Sequence, residues 1–349
     1  MRRFAFLLAF AASLAGPAAF ASESIGSKQI SIPDPSGERP LQTRLWYPAG
    51  TSGPLTPIGG RDGSFPGVEV VENAQPAAGS HPLVLLSHGF GGNWRNLNWL
   101  AGELAGQGYV VAAPDHPGTT TFDKRPEQAA RLWERPHDLS RVLDAVSTDP
   151  GLAGTIEAGH IAAIGHSLGG WTVMALAGGR YDASRLPAIC SPAPLCEALT
   201  AVGLRDGGTD PARLGADLRD ARIGAVVSLD LGPALGFTPQ SLAAVRIPVL
   251  VLAAGTPVPG IAALKQDSDY LVSALPQAST RYLPIPDATH FSFMQLCLPD
   301  AAAAIEKIAP GESFVCRDGG TRDRTALHRQ IADEILAFLA RVQPSRQGL

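Results

Sequence analysis

The feature that most constrains the fold is the segment Gly165-His166-Ser167-Leu168-Gly169-Gly170. It lies between a short apolar stretch of strand length, residues 160–164, and a helix-like stretch, residues 171–177. Strand, G-x-S-x-G and helix together are the arrangement of a nucleophile elbow, in which a sharp turn exposes a serine hydroxyl. Such a turn needs neighbours without a Cβ. We therefore predict that Ser167 is a nucleophile; the alternative is a glycine-rich turn without a catalytic role, because the motif also occurs by chance.

The rest of the chain alternates apolar, strand-like runs with amphipathic, helix-like stretches. Strand-like stretches occupy residues 83–87, 109–113, 223–229, 249–253 and 280–285, and the continuous apolar run at 83–87 is typical of a strand buried on both faces. Helix-like stretches occupy residues 96–107, 135–148 and 325–342, and the apolar residues of 135–148 recur at helical spacing. This alternation predicts the α/β class, with a doubly wound and mainly parallel sheet.

The amino-terminal part of the mature chain predicts one edge of this sheet. Strand-like residues 28–32 and 41–47 flank a turn-rich segment and predict an antiparallel hairpin at that edge. Residues 48–82 are rich in Gly, Pro, Ala and Ser with little periodicity, and we interpret them as a long surface loop.

Residues 179–221 depart from the strand–helix alternation. They follow the helix after Ser167 and contain Cys190, Cys196 and a helical piece, residues 195–202. Because the segment leaves the sheet at its carboxyl edge, we predict an insertion that acts as a lid over the active site. The alternative is a surface insertion that packs elsewhere.

Residues 1–21 have the pattern of a secretory signal peptide. A basic start precedes an apolar run, residues 4–15, and an A-x-A-like site ends at Ala21. The run is shorter than the roughly 20 residues that span a bilayer, so no stable membrane anchor is expected. We predict export, to the periplasm or beyond, of a single catalytic domain of residues 22–349.

The charge balance argues against two classes of partner. The formal net charge is −4, with no basic segment that would favour nucleic acid or an anionic lipid surface.

The four cysteines predict two disulfides, because an exported chain with an even number of cysteines favours pairing. The favoured pairs are Cys190–Cys196 and Cys297–Cys316, each closing a loop that contains Pro or Gly. A metal site is the alternative, but the sequence has no C-x-x-C motif, so no metal is predicted.

A serine nucleophile needs a base, and the base must be oriented by an acid. On sheets of this kind the triad follows the chain order serine, acid, histidine. His290 and His328 follow Ser167. His328 lies in the terminal amphipathic stretch and is interpreted as a solvated surface residue, whereas His290 follows the last strand and is predicted to be the base.

The predicted acid is Asp230, because it directly follows the buried strand-like run 225–229. A carboxylate at the carboxyl end of such a strand needs a partner, and His290 is available. Asp267 and Asp269 are the alternatives, since they lie after the next strand along the chain.

An oxyanion hole requires two hydrogen-bond donors near the nucleophile. The backbone N–H of Leu168 follows the nucleophile directly, and the glycine-rich loop His88-Gly89-Phe90-Gly91-Gly92 offers the N–H of Phe90. The ring of Phe90 is also expected to line the acyl pocket, and His88 to be hydrogen-bonded beneath the loop.

Several motifs together resemble one group of proteins. They are His88-Gly89-Phe90-Gly91-Gly92, Pro114-Asp115-His116-Pro117-Gly118, the GHSLGG segment, His290-Phe291-Ser292-Phe293 and Leu45-Trp46-Tyr47-Pro48. The chain resembles the dienelactone-hydrolase-like α/β-hydrolases, and within them the branch of the platelet-activating-factor acetylhydrolases. In that branch the acid follows the strand after the nucleophile helix, which agrees with Asp230. Dienelactone hydrolases proper use cysteine where this chain has Ser167, which argues against that activity.

These observations predict an exported serine hydrolase that cleaves carboxylic esters through an acyl-enzyme, without metal or organic cofactor. The resemblance implies a small-molecule or lipid substrate with a short acyl group, including the sn-2 ester of phospholipids. A cutin- or polyester-type esterase or lipase is the alternative among hydrolases. A non-catalytic binding protein with the same fold is the alternative from another class.

Overall fold

The computed structural model describes residues 24–60, 64–186, 193–258 and 264–342. The predicted signal peptide and Cys190 lie outside these ranges, so the leader and the Cys190–Cys196 disulfide stay predictions. The strands of the described ranges are β1 (Ile25–Ile32), β2 (Leu41–Pro48), β3 (Thr56–Ile58), β4 (Val68–Glu72), β5 (Ser80–Ser87), β6 (Val110–Pro114), β7 (Thr155–His166), β8 (Ala225–Leu229), β9 (Val249–Ala254) and β10 (Thr280–Ile285). The α-helices there are α1 (Asn98–Gly106), α2 (Pro126–Ala129), α3 (Glu134–Thr148), α4 (Pro150–Ala153), α5 (Leu168–Leu176), α6 (Ala193–Ala201), α7 (Pro211–Leu214), α8 (Pro239–Ala243), α9 (Leu264–Ala274), α10 (Ala301–Ile308) and α11 (Arg324–Val342).

The strands form one sheet in the order β10-β9-β8-β7-β5-β6-β2-β1-β4-β3. Neighbours from β10 to β6 are parallel, whereas β2 is antiparallel to both β6 and β1. This confirms the predicted α/β class with a mainly parallel sheet. The chain passes from β5 to β6 on one side and then to β7 on the other side of β5. Ligands of α/β proteins bind at the carboxyl ends of strands beside such a reversal.

Helices cover both faces of the sheet and form two apolar cores. One core contains α3 and α5, with Leu139, Val142 and Trp171 fully buried. The other contains α1 and α11, with Leu104 and Ile335 fully buried. Every residue of β6, β8 and β9 is buried, which explains their continuous apolar sequences. Among the described helices, none has both the length and the apolar character needed to cross a membrane.

The prediction that the hairpin of β1 and β2 forms the edge of the sheet is wrong. The β1–β2 hairpin forms, but β4 pairs in parallel with β1 through Gly26 and Ser27, and β3 pairs with β4. Residues 48–82, which we interpreted as a loop, therefore supply two short strands that cover the hairpin. Local composition does not reveal them because β4 is defined by its pairing with a strand much earlier in the chain.

The described part of the 179–221 insertion packs on the core that contains α5. Tyr181, Leu199, Leu214 and Leu218 are buried members of that core. The ring of Tyr181 contacts Trp171 edge-on, with their centroids 5.6 Å apart. The function of this segment as a lid stays a prediction.

Candidate active site

The turn after β7 places Ser167 at the reversal point of the sheet. Ser167 has φ 55° and ψ −121°, a conformation that a non-glycine residue adopts only when its surroundings enforce it. Its N–H donates to the carbonyl of Leu229 at 3.0 Å. A Cβ at Gly165 or Gly169 would lie 2.0 or 1.9 Å from a carbonyl oxygen. Both glycines are therefore required for β7 to enter α5 at this angle.

His290 and Asp230 form a buried pair at the carboxyl edge of the sheet. His290 begins the 3-10 turn after β10, and Asp230 directly follows β8. The distance from Nδ1 of His290 to Oδ2 of Asp230 is 2.7 Å, and the two residues are 7% and 2% exposed. Because a carboxylate only accepts, Nδ1 donates, and Nε2 of His290 is left to accept a proton.

Further hydrogen bonds hold both members of this pair. Oδ1 of Asp230 accepts the N–H of Ala254 at 2.9 Å, and the N–H of Asp230 donates to the carbonyl of Leu252 at 2.8 Å. The carbonyl of His290 accepts from Nε2 of His166 at 2.9 Å, and the two imidazole centroids are 4.5 Å apart. His166, which precedes Ser167, therefore positions the turn that carries His290.

Asp269, one of the two alternative acids, is engaged elsewhere. It accepts from Nζ of Lys265 at 2.7 Å and from the hydroxyl of Tyr282 at 2.8 Å. These bonds hold its carboxylate on the exposed side of α9.

Asp267, the other alternative, supports the loop that follows Asp230. It is 5% exposed, and its Oδ1 accepts the N–H groups of Ala234 and Leu235. Burial, together with the nearby Asp230, raises the pKa of Asp267 to about 7. Its hydrogen bonds go to backbone, whereas those of Asp230 reach His290.

The loop after β5 lies against Ser167 and brings the predicted oxyanion donors near it. A Cβ added to Gly89 would lie 3.1 Å from the Cβ of Ser167, so the backbone before Phe90 approaches the serine closely. Leu168 is the first residue of α5, and N–H groups in the first turn of a helix have no acceptor within the helix. Phe90 is 38% exposed.

His88 supports the same loop from below, as the sequence analysis predicts. Its Nε2 accepts the N–H of His116 at 3.0 Å, and its Nδ1 is 2.7 Å from the carbonyl oxygen of Gly89. Because Nε2 accepts, Nδ1 carries the proton and donates to Gly89. Burial holds the pKa of His88 well below its usual value, so the ring is neutral.

A buried ionic cluster beneath this loop was missed by the sequence analysis. The Asp138 carboxylate on α3 accepts two bonds from Arg39, at 2.9 and 2.7 Å, and one from Nδ1 of His116, at 2.9 Å. Arg135, also on α3, donates to the carbonyl of His88. Each of these four side chains belongs to a residue at most 3% exposed. In the described ranges, no group of three or more His, Cys, Asp or Glu residues is arranged to hold a metal ion.

A signal for this cluster is present in the sequence of α3. Arg135, Asp138, Leu139 and Val142 occupy positions i, i+3, i+4 and i+7 of the helix. This spacing places all four on one face. Charged residues in phase with an apolar stripe are candidates for buried ion pairs.

The turn that carries His290 is fastened to the segment after it. The predicted Cys297–Cys316 disulfide is confirmed and closes this segment. Oγ1 of Thr289 donates to the carbonyl of Arg317 at 3.0 Å, and Oγ of Ser292 donates to Asp318. The residues on both sides of His290 are thus tied to the end of the disulfide loop.

The interpretation of His328 as a solvated surface residue is wrong. His328 is 8% exposed, stacks on Trp99 with 3.7 Å between the ring centroids, and is hydrogen-bonded to the carbonyl of Met294 at 2.8 Å. Burial lowers the pKa of His328 to about 4. Its polar nitrogen is satisfied by backbone, which is why it tolerates the inner face of α11.

Comparison with known proteins gives matches to hydrolases. A family model described as serine aminopeptidase, S33, matches residues 79–206. Two cutinases of Thermobifida alba, est2 and est1, are 33% and 32% identical over 105 residues, which is 30% of this chain. The match spans about a third, 32%, of the length of each cutinase.

A solved structure extends the likeness to nearly the whole chain. The ferulic acid esterase of Streptomyces cinnamoneus has a TM-score of 0.64, with 96% of this chain and 94% of that chain covered, at 23% identity. This likeness shows that the chain has the α/β-hydrolase fold. The proteins named here do not belong by name to the dienelactone hydrolases or the acetylhydrolases, so that branch stays a prediction.

Proposed function

We propose that this chain, with its α/β-hydrolase fold, is a serine hydrolase that cleaves carboxylic esters through an acyl-enzyme on Ser167. The observation that carries the proposal is the buried 2.7 Å hydrogen bond between His290 and Asp230, beside the strained turn of Ser167. A strained serine and an oriented imidazole, both at the strand ends where α/β proteins bind ligands, are the parts that acyl transfer requires.

The first half-reaction forms the acyl-enzyme. Oγ of Ser167 attacks the ester carbonyl carbon while Nε2 of His290 takes the hydroxyl proton. Asp230 holds the imidazole by its Nδ1–H and stabilises the positive charge that the ring acquires. The N–H groups of Phe90 and Leu168 donate to the oxygen that becomes negative in the tetrahedral intermediate.

The acyl-enzyme forms when the tetrahedral intermediate breaks its bond to the alkoxide, which takes the proton from His290 and leaves as the alcohol. In the second half-reaction, Nε2 of His290 takes a proton from water, whose oxygen attacks the acyl group on Ser167. The second intermediate then breaks its bond to Oγ of Ser167, which takes the proton back from His290, and the carboxylic acid is released.

For the substrate we propose short-acyl esters, including the sn-2 ester of phospholipids. The proposal is supported by the resemblance to the acetylhydrolase branch and by the exposed Phe90, which follows the glycine that lies against Ser167. A cutin- or polyester-type activity is the second candidate, and the partial match to the two cutinases supports it. Activity profiles over acyl chains of increasing length separate these candidates, because a preference for long chains or polymer contradicts the first.

We further propose that the protein is exported after cleavage at residue 21. The basic start, the short apolar run and the A-x-A-like site support this. Sequencing the amino terminus of protein recovered outside the cytoplasm tests it: an intact Met1 in that fraction contradicts the cleavage.

Labelling by a fluorophosphonate probe tests the activity itself. We expect the probe to label the wild type and not Ser167→Ala. The matched control is Ser184→Ala, which alters a serine on the insertion whose hydroxyl donates to Asp182. Wild-type protein that is folded but unlabelled would favour a non-catalytic binding protein.

A further inference from the structure

Arg135 is a fully buried cation whose hydrogen bonds all go to neutral oxygens. It is 1% exposed. Nε donates to Oγ1 of Thr172 at 2.8 Å, and the Nη groups donate to Oγ1 of Thr119, Oγ of Ser87 and the carbonyl of His88. The guanidinium has no direct bond to a carboxylate among these contacts.

The charges around Arg135 leave the cluster positive. Asp138, the nearby carboxylate on the same helix, makes two bonds to Arg39 and one to His116. A third arginine, Arg141, lies 3.5 Å from the same carboxylate. Burial keeps the pKa of His116 well below its usual value, so that ring is neutral. Two buried guanidinium groups therefore share one buried carboxylate.

The pKa of Arg135 is lowered mainly because the guanidinium is buried. Burial lowers the pKa, the nearby Asp138 opposes this shift and Arg39 adds to it, and the net value is about 9. The guanidinium is still protonated at neutral pH. Burying an unmatched charge is destabilising, and an apolar side chain of similar volume would avoid that cost.

Arg135 bonds to both segments that carry the proposed oxyanion donors. Its bond to the carbonyl of His88 reaches the loop of Phe90, and the His88 ring donates to Gly89, whose carbonyl belongs to the same peptide group as the Phe90 N–H. Hydrogen bonds to a peptide carbonyl strengthen its N–H as a donor. On the other side, Thr172 accepts from Arg135 and donates to the carbonyl of Leu168 at 3.0 Å.

We propose that Arg135 is a positioning residue of the oxyanion hole. Arg135 holds the two segments that carry the N–H groups of Phe90 and Leu168, and its unmatched positive charge stabilises the oxyanion through these segments. The inference rests on the proposed esterase function. A fixed charge in a buried, water-poor environment acts strongly on nearby developing charge and needs no reorganisation during the reaction.

Two substitutions separate the charge from the packing. Arg135→Gln is neutral and polar, whereas Arg135→Lys retains the charge with fewer hydrogen bonds. We measure kcat and KM on p-nitrophenyl acetate, and the inhibition constant of a trifluoromethyl ketone, which forms an anionic adduct with the serine. Arg135→Gln is expected to lower kcat and ketone affinity together by about 10- to 100-fold. This loss is no larger than the fall in kcat that follows removal of a direct oxyanion donor. KM should change little, and Arg135→Lys should restore most of the loss.

Arg44→Gln is the matched control. Arg44 is also a buried arginine that donates to a buried serine hydroxyl, Oγ of Ser27, but it has its own carboxylate, Glu72, at 2.9 Å. This variant is expected to lower the unfolding temperature while ketone affinity stays within about threefold. A comparable loss of ketone affinity in this control would overturn the inference, because it would trace the loss to general destabilisation.

Each remaining outcome supports or overturns one of the two proposals. We first establish that wild type turns over the ester and that Ser167→Ala abolishes this turnover. Absence of wild-type turnover counts against the proposed function. With turnover present, a folded Arg135→Gln that retains kcat within about threefold overturns the inference, as do equal losses in the Gln and Lys variants. If Arg135→Gln does not fold, Arg135→Lys decides: ketone affinity within about tenfold of wild type supports the inference, and a larger loss overturns it.

Discussion

Replacing Asp267 by Asn is expected to stabilise the protein at neutral and alkaline pH. The carboxyl group of Asp267 has a pKa of about 7 in the folded protein, against an ordinary value of 3.8, because it is buried near Asp230. Between these values the folded state binds more protons than the unfolded state. The contribution of Asp267 to the free energy of unfolding therefore falls as the pH rises from about 4 to 7.

The magnitude follows from the size of the shift. A shift in the pKa of Asp267 from 3.8 to about 7 lowers the free energy of unfolding by about 4 kcal/mol at pH values where Asp267 is ionised in both the folded and the unfolded state. About 3 kcal/mol of this develops between pH 5 and pH 8. Asn has no charge to bury, and its carbonyl can keep the two backbone bonds, since Ala234 and Leu235 both donate to Oδ1.

Urea unfolding at pH 5 and pH 8 measures this effect. The advantage of Asp267→Asn over wild type should grow by about 3 kcal/mol between the two pH values. Asp269→Asn is the control on the same helix, because Lys265 and Tyr282 lower the pKa of Asp269 and so reverse the sign. An advantage that is absent at pH 8, or equal at both pH values, would refute the reasoning. The Asn variant should also keep kcat within a few-fold, since Asp267 does not bond to His290.

Asp230→Asn should lower kcat on a soluble ester by about 10⁴-fold with little change in KM, and near-normal turnover would assign the acid elsewhere. The Cys297→Ser, Cys316→Ser double variant should lose about 3 kcal/mol in urea unfolding, because the disulfide closes a separation of 19 residues, and an unchanged midpoint contradicts this. His328 has a pKa of about 4 in the fold, below its ordinary 6.5, so the unfolded state binds more protons at this residue and its contribution to stability rises with pH through this window. That contribution should fall by about 2 kcal/mol from pH 7 to pH 5, so the free energy of unfolding of wild type relative to His328→Gln should fall by the same amount in urea unfolding, and an unchanged difference contradicts this.

The central strands and the chain order of the site were predictable because both depend on short-range pattern. A strand buried on both faces reads as a continuous apolar run, as β8 and β9 do. Once the strands are parallel, their carboxyl ends meet at one edge, so residues directly after them lie close together. This is why the sequence could predict that Asp230 and His290 meet, and the two side chains are hydrogen-bonded.

The parts that were missed depend on pairing or on burial of polar groups. β4 exists because it pairs with β1, and nothing in its own five residues requires that partner. His328 and Arg135 lie on helices that were recognised, but His328 was assigned to solvent and Arg135 was given no role. Each is instead buried and bonded to a backbone carbonyl, of Met294 and His88 respectively.

The backbone of the site shows how differently its three side chains are held. Ser167 and Asp230 both have positive φ, 55° and 44°, directly after the paired ends of β7 and β8. The N–H of Ser167 bonds to the carbonyl of Leu229, so the ladder between these strands continues into the serine turn. Strained residues persist only where their surroundings determine them this fully.

His290 reaches the site by a different route. It follows β10, which is separated from β8 by β9, and its turn is positioned by His166, by Asp230 and by bonds to the end of the Cys297–Cys316 loop. Ser167 and Asp230 are therefore fixed by sheet pairing, whereas the position of His290, the proposed base, depends on side-chain contacts and a disulfide. Loss of the disulfide should accordingly reduce kcat through the placement of His290 before it unfolds the sheet.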